Sequence, residues 1–357
     1  MATKTKKQAK SGGTPSASFS FDSTTLAKKL LAAAPERARE VLVRRFGLGS
    51  DSERETLEQI GDRTGITRER VRQIEAAGLD AIRASKAFKE AQPAFVEIAK
   101  FIDSLGAIVP EETLLVALGK DAKSRNRFRF FLVLDSAFFR ERETAEFFAR
   151  WHVDHQTADH IHTALSKLYQ SLSDDEVVSE GEILDRFLEE LKNVNDAYKN
   201  DEVLKRWLSL SKHIGNNPLS EWGRMSTPAI RIKGIRDYAY LAIKRHGEPM
   251  HFSDVAHKIG ELFSKKAHVA TTHNELIKDP RFVLVGRGLY ALTEWGYKPG
   301  IVREVIRETL EQTGPLKKEE IIKQVKLARF VKDNTILVNL NDPRYFKRMK
   351  DGRYSAI

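Results

Sequence analysis

Apolar residues recur at helical spacing between residues 57 and 74, in a pattern that predicts two short helices packed against each other. The apolar positions are Leu57, Ile60, Ile66, Val71 and Ile74. Gly61 is a small residue where the helices should cross, and Gly65 is suited to the turn between them. The spacing therefore predicts a helix-turn-helix.

The second helix is predicted to begin after Thr67, which stands where an N-cap belongs. Glu69 in the first turn suits the helix dipole. Helical periodicity sends Val71, Ile74 and Ile82 inward. The side chains that project to the opposite side are Arg68, Glu69, Arg72 and Gln73.

This outward face carries the side-chain types that read base pairs. Arginine can bond guanine bidentately, glutamate can accept from cytosine, and glutamine can pair with adenine in the major groove. Arg70, at the flank, and Arg63, on the preceding helix, are better placed for phosphates. An amphipathic helix pair with a solvated charged face is the alternative, but it leaves the small residue, the turn glycine and the cap unexplained. The predicted DNA-binding residues are Arg63, Thr67, Arg68, Glu69, Arg70, Arg72 and Gln73.

A second pattern recurs after residue 90 with a period of about sixty residues. Its clearest copies are 274–292 and 334–357, each with a helix-like start, Asp-Pro-Arg followed by an aromatic residue, a glycine turn and a closing Gly-x-Tyr strand. This order is typical of a recognition helix followed by a β-hairpin wing. Fainter copies lie upstream. The predicted fold class is mainly α, with tandem helix-turn-helix and winged-helix modules and small β-hairpin wings.

The predicted organisation has six parts. They are a disordered basic tail (1–20), the helix-turn-helix module (21–90), winged-helix-like units at 91–155, 156–230 and 231–297, and a C-terminal unit (298–357). Linkers are predicted at 152–160, 223–234 and 296–301.

Charge narrows the choice of partner. The 357 residues carry a formal net charge of +10, which favours an anionic partner. Nucleic acid is the commonest such partner, although an anionic membrane or an acidic protein would fit the same number. Basic residues near the predicted helices and wings favour DNA or RNA. No apolar run is long enough to cross a bilayer, so we expect a soluble protein that makes no membrane contact.

Catalytic and metal sites are not predicted. Cysteine is absent, which removes disulfides, thiolate catalysis and cysteine-based zinc motifs. The segment "WHVDHQTADHIH" (151–162) gathers histidines and aspartates, but its spacing fits no standard metal site. We therefore expect no cofactor, no metal, no small-molecule substrate and no enzymatic activity.

The helix-turn-helix resembles region four of primary bacterial sigma factors. The segments "VLVRRFGL" (41–48) and "TRERVRQIE" (67–75) carry this likeness, which covers roughly residues 27 to 86. The resemblance implies reading of a minus-thirty-five promoter hexamer and docking on the β flap of RNA polymerase. By position it implies base contacts from Arg68, Glu69 and Gln73, and contacts at or near the backbone from Arg70 and Arg72.

The chain departs from that family in two respects. Gly78 and Asp80 replace a lysine-rich continuation, which predicts a weaker grip on the DNA backbone at that end. In addition, no segment resembles the aromatic-rich region that melts the minus-ten element. The resemblance thus favours a sigma-like factor over a complete sigma factor.

Residues 234–297 resemble the HARE type of helix-turn-helix, which also forms the N-terminal part of the RNA polymerase delta subunit. The residues that carry this match are Gly247, Pro249, His251, Phe252, Phe282, Gly288, Tyr290 and Trp295. Together the two resemblances predict a DNA-binding initiation factor or regulator that engages double-stranded promoter DNA and RNA polymerase core, in the cytoplasm and at the nucleoid. The alternatives are an architectural or defence-associated DNA binder without polymerase contact, and a nuclease.

Overall fold

A computed structural model describes residues 17–192, 194–297 and 301–357. In these ranges the chain forms sixteen α-helices and small antiparallel sheets, so the mainly α prediction is confirmed. The chain divides into two compact units. The first runs up to Gly215 and includes Trp222–Met225, and the second comprises Asn216–Glu221 and Ser226–Ile357.

Four helices open the first unit. They are α1 (Ser23–Ala32), α2 (Glu36–Phe46), α3 (Leu57–Thr64) and α4 (Arg68–Ala84). The side chain of Asp22 caps α1 by accepting a hydrogen bond from the backbone N–H of Thr25. Gly47, in the left-handed conformation at φ 63°, ends α2.

An α-β-α-α-β-β segment follows and continues the same unit. Its elements are α5 (Lys86–Ser104), β1 (Ile108–Pro110), α6 (Glu111–Leu118), α7 (Ala122–Leu134), β2 (Phe139–Glu141) and β3 (Arg150–His152). The strands pair antiparallel in the order β1-β3-β2, with Val109 opposite Trp151.

The same element order then recurs. The second copy is α8 (His155–Ser171), β4 (Val177–Ser179), α9 (Glu180–Glu190), α10 (Asp201–Leu208), β5 (Ile214–Asn216) and β6 (Glu221–Arg224), with a 3-10 turn at Asp196–Tyr198. Its sheet order is β4-β6-β5, again first, third, second.

The second unit holds two further copies. The third is α11 (Ile235–His246), β7 (Met250–His251), α12 (Phe252–Phe263), α13 (Val269–Lys278), β8 (Phe282–Gly286) and β9 (Leu289–Leu292), with a 3-10 turn at Thr293–Trp295 and sheet order β7-β9-β8. The fourth is α14 (Val302–Thr313), α15 (Lys318–Ala328), α16 (Asp333–Leu340), β10 (Phe346–Arg348) and β11 (Tyr354–Ala356). In the fourth copy, a bridge between Leu316 and Tyr354 takes the place of the first strand. We refer to these four segments as repeats 1 to 4.

The recurring Asp-Pro-Arg sequence corresponds to a recurring local structure. In repeat 3, a guanidinium nitrogen of Arg281 lies 2.6 Å from a carboxylate oxygen of Asp279. In repeat 4, the same pairing joins Arg344 to Asp342 at 2.8 Å. In both, the arginine backbone N–H also donates to that carboxylate, so each motif closes a turn between the third helix and the hairpin. Hydrogen bonds from Arg344 lower the pKa of Asp342 to about 2.

Several predicted boundaries need correction. The division placed between residues 90 and 91 falls inside α5, whose face packs into the same core as α1 and α2. The linker predicted at 152–160 is the end of β3 and the first turns of α8, which Asp154 caps through its side chain. The linker at 223–234 begins within β6 and ends at α11. Residues 298–300 of the linker at 296–301 lie outside the described residues.

The tail predicted at 1–20 lies outside the described residues except for its last four positions, and these are not disordered. The backbone N–H of Ala17 donates to the carbonyl of Ala117 at 3.0 Å. Phe19 packs 5.2 Å from the ring of Phe128 on α7. Contacts with α6 and α7 therefore hold residues 17–20 in place, although the small polar residues of the tail predicted disorder there. In the described part of the chain, no helix combines the length and apolarity that crossing a bilayer requires.

Candidate nucleic-acid interface

The crossing of α3 and α4 is built around Gly61. An ideal Cβ at this position would lie 2.6 Å from the carbonyl oxygen of Ile66, closer than a real Cβ approaches any neighbour. Gly65 ends α3 in the left-handed conformation at φ 68°, and its N–H donates to the carbonyl of Gly61. The predicted roles of both glycines are therefore confirmed.

Both helices have side-chain caps. Thr56 and Gln59 form a reciprocal capping box at the start of α3, with distances of 2.8 and 3.2 Å. Thr67 caps α4 as predicted, because its hydroxyl oxygen accepts from the backbone N–H of Arg70 at 3.2 Å. The caps therefore fix the residues at which α3 and α4 begin.

The inward faces of α2, α3 and α4 share a small core. Its buried members are Ala38, Val41, Ile60, Val71 and Ile74, with Leu57 and Ile66 packed against it. Ile82, also predicted to face inward, is buried in the larger core that α1, α5 and α7 contribute to. The opposite side of α4 is left to solvent.

That solvent-facing side holds all five predicted reading and flanking residues of α4. They are Arg68, Glu69, Arg70, Arg72 and Gln73, and each is exposed. Two pairs form along the helix. Arg72 binds Glu69 with both ends of its guanidinium fork at 2.8 and 2.9 Å, and Arg70 donates to the side-chain oxygen of Gln73 at 3.1 Å.

The pair between Arg72 and Glu69 shifts the pKa values of both groups. The Arg72 hydrogen bonds lower the pKa of the Glu69 carboxyl, and Glu69 in turn raises the pKa of Arg72. Both groups are therefore charged at neutral pH. Arg68 forms no hydrogen bond or ion pair with any described residue, so its guanidinium is available to a ligand.

Sequence reasoning missed the residue that anchors Arg63. Glu55, whose side chain is 19% exposed, lies 3.4 Å from the Arg63 guanidinium and 3.3 Å from that of Arg44. Arg45 also donates to the Glu55 backbone carbonyl at 3.2 Å. Arg63 itself is 60% exposed, so its guanidinium can reach a DNA phosphate while it stays close to Glu55. Only folding brings Glu55 to Arg63, and no local signal identified it.

The C-terminal half of α4 is a packing surface. A Cβ at Gly78 would lie 2.8 Å from the Cβ of Ala38, so this glycine lets α2 approach α4 closely. Asp80 pairs with Arg83 at 2.9 Å, and Arg83 donates to the carbonyls of Val133 and Leu134 at the end of α7. The departure from the sigma pattern at Gly78 thus has a structural reason.

Residues 30–84 match Sigma-70, region 4. We call them the region-4 segment. The chain is 48% identical over 56 residues to RNA polymerase sigma factor RpoS of Coxiella burnetii, which covers 16% of each protein. It is 49% identical over 53 residues to RNA polymerase sigma factor SigA4 of Synechococcus elongatus, covering 15% of this chain and 17% of that relative.

The chain therefore spans about a sixth of the length of the curated relatives it matches. The resemblance to sigma region four is confirmed over this segment, and it supports a sigma-like DNA-binding role there. The HARE resemblance of residues 234–297 stays a prediction.

Repeat 1 packs against the region-4 segment through α7. The side-chain amide of Asn126 on α7 donates to the carbonyls of Gly47 and Ser52, at 3.0 and 2.9 Å, and so ties down the loop between α2 and α3. The rings of Phe46 and Phe130 lie 5.4 Å apart, edge to face. These contacts hold α2 and the loop between α2 and α3 against repeat 1.

The third helices of the repeats differ in what covers them. In repeat 1, α7 packs against α1 and α2, as described above. In repeat 2, the indole N–H of Trp207 on α10 donates to the carbonyl of Gly106, and Arg206 donates to that of Leu105. In repeat 3, by contrast, α13 exposes polar side chains that include Thr271, Asn274 and Lys278, together with the apolar Ile277.

The histidine-rich segment has a structural explanation. His162 accepts a hydrogen bond from the Arg150 guanidinium at 2.6 Å, and buried His152 lies 3.2 Å from Glu141. Burial and the charge of Arg150 lower the pKa of His162 to about 4. Among the described residues, no three His, Cys, Asp or Glu side chains come together as metal ligands would.

Proposed function

We propose that this chain binds double-stranded promoter DNA through α4 and acts as a sigma-like transcription initiation factor or regulator. The observation that carries the proposal is the exposed polar face of α4, held on a capped helix-turn-helix within a segment that matches sigma region 4. The element recognised resembles a minus-thirty-five hexamer.

Each residue has a distinct role in this proposal. Arg68, Glu69 and Gln73 read base edges in the major groove. Arg70 and Arg72, together with Arg63 and Thr67, hold the DNA backbone. In the free protein Arg72 and Glu69 form an exposed ion pair with each other along α4.

We also propose that the chain associates with RNA polymerase core, with the β flap as the contact site, in the cytoplasm and at the nucleoid. The sigma relatives support this role by their names alone. A pull-down at low salt tests it. Retention of polymerase core supports the proposal, and a bait that retains no polymerase subunit refutes this part of it.

DNA sequence recognition is tested in two steps. Sequences that the chain binds are first selected from a pool of random DNA duplexes. The affinity of the chain for the most enriched sequence is then measured by fluorescence anisotropy. We expect Arg68→Ala or Gln73→Ala to weaken the selected site by about 5- to 150-fold and to relax specificity at one position. Arg70→Ala should weaken all sequences alike and reduce the salt slope by about one.

Arg307 provides the matched control. It is 56% exposed on α14 and pairs with Glu311 at 3.2 Å, so Arg307→Ala removes a comparable charge far along the chain from α4. The control should bind the selected site like the wild type. If Arg68→Ala binds as tightly as Arg307→Ala, α4 is not the reading helix.

We interpret the four repeats as winged-helix units, because each places its hairpin after the third helix, and in repeats 1 to 3 that hairpin belongs to a sheet of order first, third, second. A second candidate function follows from repeat 3, where the exposed face of α13 is accompanied by exposed Lys266 and by Arg287 on the β8–β9 turn. An architectural DNA binder using this surface would occupy the genome broadly. Its affinity would fall about 10³-fold or more between low and moderate salt if several phosphates are contacted.

The proposed role is one of binding and not of catalysis. Purified protein incubated with duplex or single-stranded DNA and Mg²⁺ or Mn²⁺ should therefore leave the DNA intact. Metal-dependent cleavage that copurifies with the chain would instead support a nuclease.

A further inference from the structure

A cavity of about 690 Å³ in the first unit is lined on one side by arginines. Arg125 and Arg129 face it from α7, and Arg54 reaches it from the loop between α2 and α3. A neighbouring cavity of about 300 Å³ shares Arg54, Arg129 and Glu111 and adds Arg45, Arg140, Glu55 and Glu75. Arg45 and Glu75 form an ion pair at 3.4 Å. The other guanidinium groups gathered in this region are those of Arg54, Arg125, Arg129 and Arg140.

Ion pairs engage only some of these arginines. A single carboxylate, that of Glu111, serves both Arg129 at 3.2 Å and Arg140 at 2.5 Å, and it also accepts from the indole N–H of Trp151 at 3.1 Å. Arg54 forms no hydrogen bond or ion pair with any described residue. The side chain of Arg129 is 20% exposed and lies close to the charge of Arg54, so an anion between them would stabilise both.

Arg125 offers hydrogen-bond donors whose position is fixed. Its Nε donates to the carbonyl of Gly119 at 2.9 Å, which holds the guanidinium in place. Its two terminal nitrogens have no partner among the described residues. A guanidinium held in this way presents a planar fork that matches phosphate oxygens. Burial and the nearby charge of Arg54 lower the pKa of Arg129, as expected for crowded cations.

Two further glutamates line the cavity. Glu143 is already bonded to Lys212. Glu112 is exposed to solvent and forms no ion pair with a described residue. The lining therefore carries three arginines and three glutamates, and an anion would contact the arginine side, where Arg54 and the terminal nitrogens of Arg125 have no partner among the described residues.

An apolar surface completes the cavity. Phe148 is 46% exposed and Val116 is 47% exposed, both along the lining. An exposed aromatic ring beside an arginine cluster suits a ligand with a flat ring and a polyanionic group, and the volume lies within the usual range for small-molecule sites.

We propose that this cavity binds a nucleoside phosphate, with the phosphate groups against Arg54, Arg125 and Arg129 and the base against Phe148. Two sources offer this chemistry, a free nucleotide or the phosphorylated 5′ end of a nucleic-acid strand. The proposal does not depend on promoter recognition by α4.

Isothermal titration of the full chain with ATP, inorganic pyrophosphate and adenosine tests the proposal. We expect saturable binding of ATP and pyrophosphate and none of adenosine. Arg54→Gln and Arg125→Gln should each weaken ATP about tenfold or more, because each removes a charge-assisted contact. Lys123→Gln is the matched control, since Lys123 is exposed on the same helix and does not line the cavity.

Two further arms separate the parts of the ligand. Phe148→Ala should weaken ATP while leaving pyrophosphate unchanged. A short single strand with a 5′-phosphate should displace ATP, and the same strand with a 5′-hydroxyl should not, if the natural source is a strand end; failure of both to displace ATP assigns the site to a free nucleotide. No saturable binding of ATP or pyrophosphate up to about 10 mM, or equal weakening by Lys123→Gln, overturns the proposal.

Discussion

Gly61→Ala tests how firmly α3 and α4 are held together. The added Cβ would lie 2.6 Å from the backbone oxygen of Ile66, whereas close carbon–oxygen contacts are about 3.3 Å or longer. Backbone atoms cannot turn away, so the turn must move by about 0.7 Å relative to α3. Overpacking costs about 1–3 kcal/mol, and a 2.6 Å contact with a backbone oxygen falls in the upper part of that range, about 2–3 kcal/mol. The better helix propensity of alanine offsets about 1 kcal/mol of this cost. We expect a net loss of about 1–2 kcal/mol in the free energy of unfolding.

Gly181→Ala is the control, because Gly181 is a helical glycine in α9 whose Cβ position has no described atom within 4 Å beyond its neighbours and the backbone of its own helix. That variant should be as stable as the wild type or gain up to about 1 kcal/mol. Urea unfolding followed by tryptophan fluorescence measures both. With a slope near 2 kcal/mol per molar urea, Gly61→Ala should lower the midpoint by about 0.5–1 M. A midpoint equal to that of the wild type would refute the close crossing as a rigid feature.

Three further variants probe the support of α4 and the buried histidine. Gly78→Leu should destabilise the chain by about 2 kcal/mol or more in urea unfolding, because even a Cβ there meets Ala38 at 2.8 Å. Asn126→Leu should speed hydrogen exchange at residues 47–56, since the carbonyl of Gly47 loses its donor; unchanged exchange would contradict the tie. The pKa of His162 is lowered to about 4, so the unfolded chain takes up the proton first and stability should fall as pH drops from about 6.5 to about 4. His162→Gln, which keeps an acceptor but does not titrate, should flatten that fall in a pH series of urea midpoints; an unchanged profile would exclude His162 as its cause.

The local features of the candidate site could be predicted from the sequence because they depend on short-range rules. Helical periodicity located the buried Val71 and Ile74, and cap chemistry located Thr67. Gly61 and Gly65 were predictable because a tight crossing and a left-handed turn both favour glycine. The exposed side chains of α4 followed from the same periodicity.

The long-range features were out of reach of these rules. The interpretation of Gly78 as a weakened DNA contact was incomplete, since Ala38 approaches it from a helix forty residues earlier. The anchoring of Arg63 by Glu55 and the tie from Asn126 to Gly47 also require tertiary structure. The repeat pattern predicted the hairpins, but nothing local indicated that α7 would be covered and α13 exposed.

The central claim is that α4 brings this chain to promoters together with RNA polymerase. Chromatin occupancy of the chain, mapped in the same cells as occupancy of polymerase, tests it most directly. We predict shared peaks at promoters that are lost in a double variant, Arg68→Ala with Gln73→Ala, and retained in Arg307→Ala. Broad occupancy unrelated to polymerase, or promoter peaks that survive the double variant, would contradict the claim.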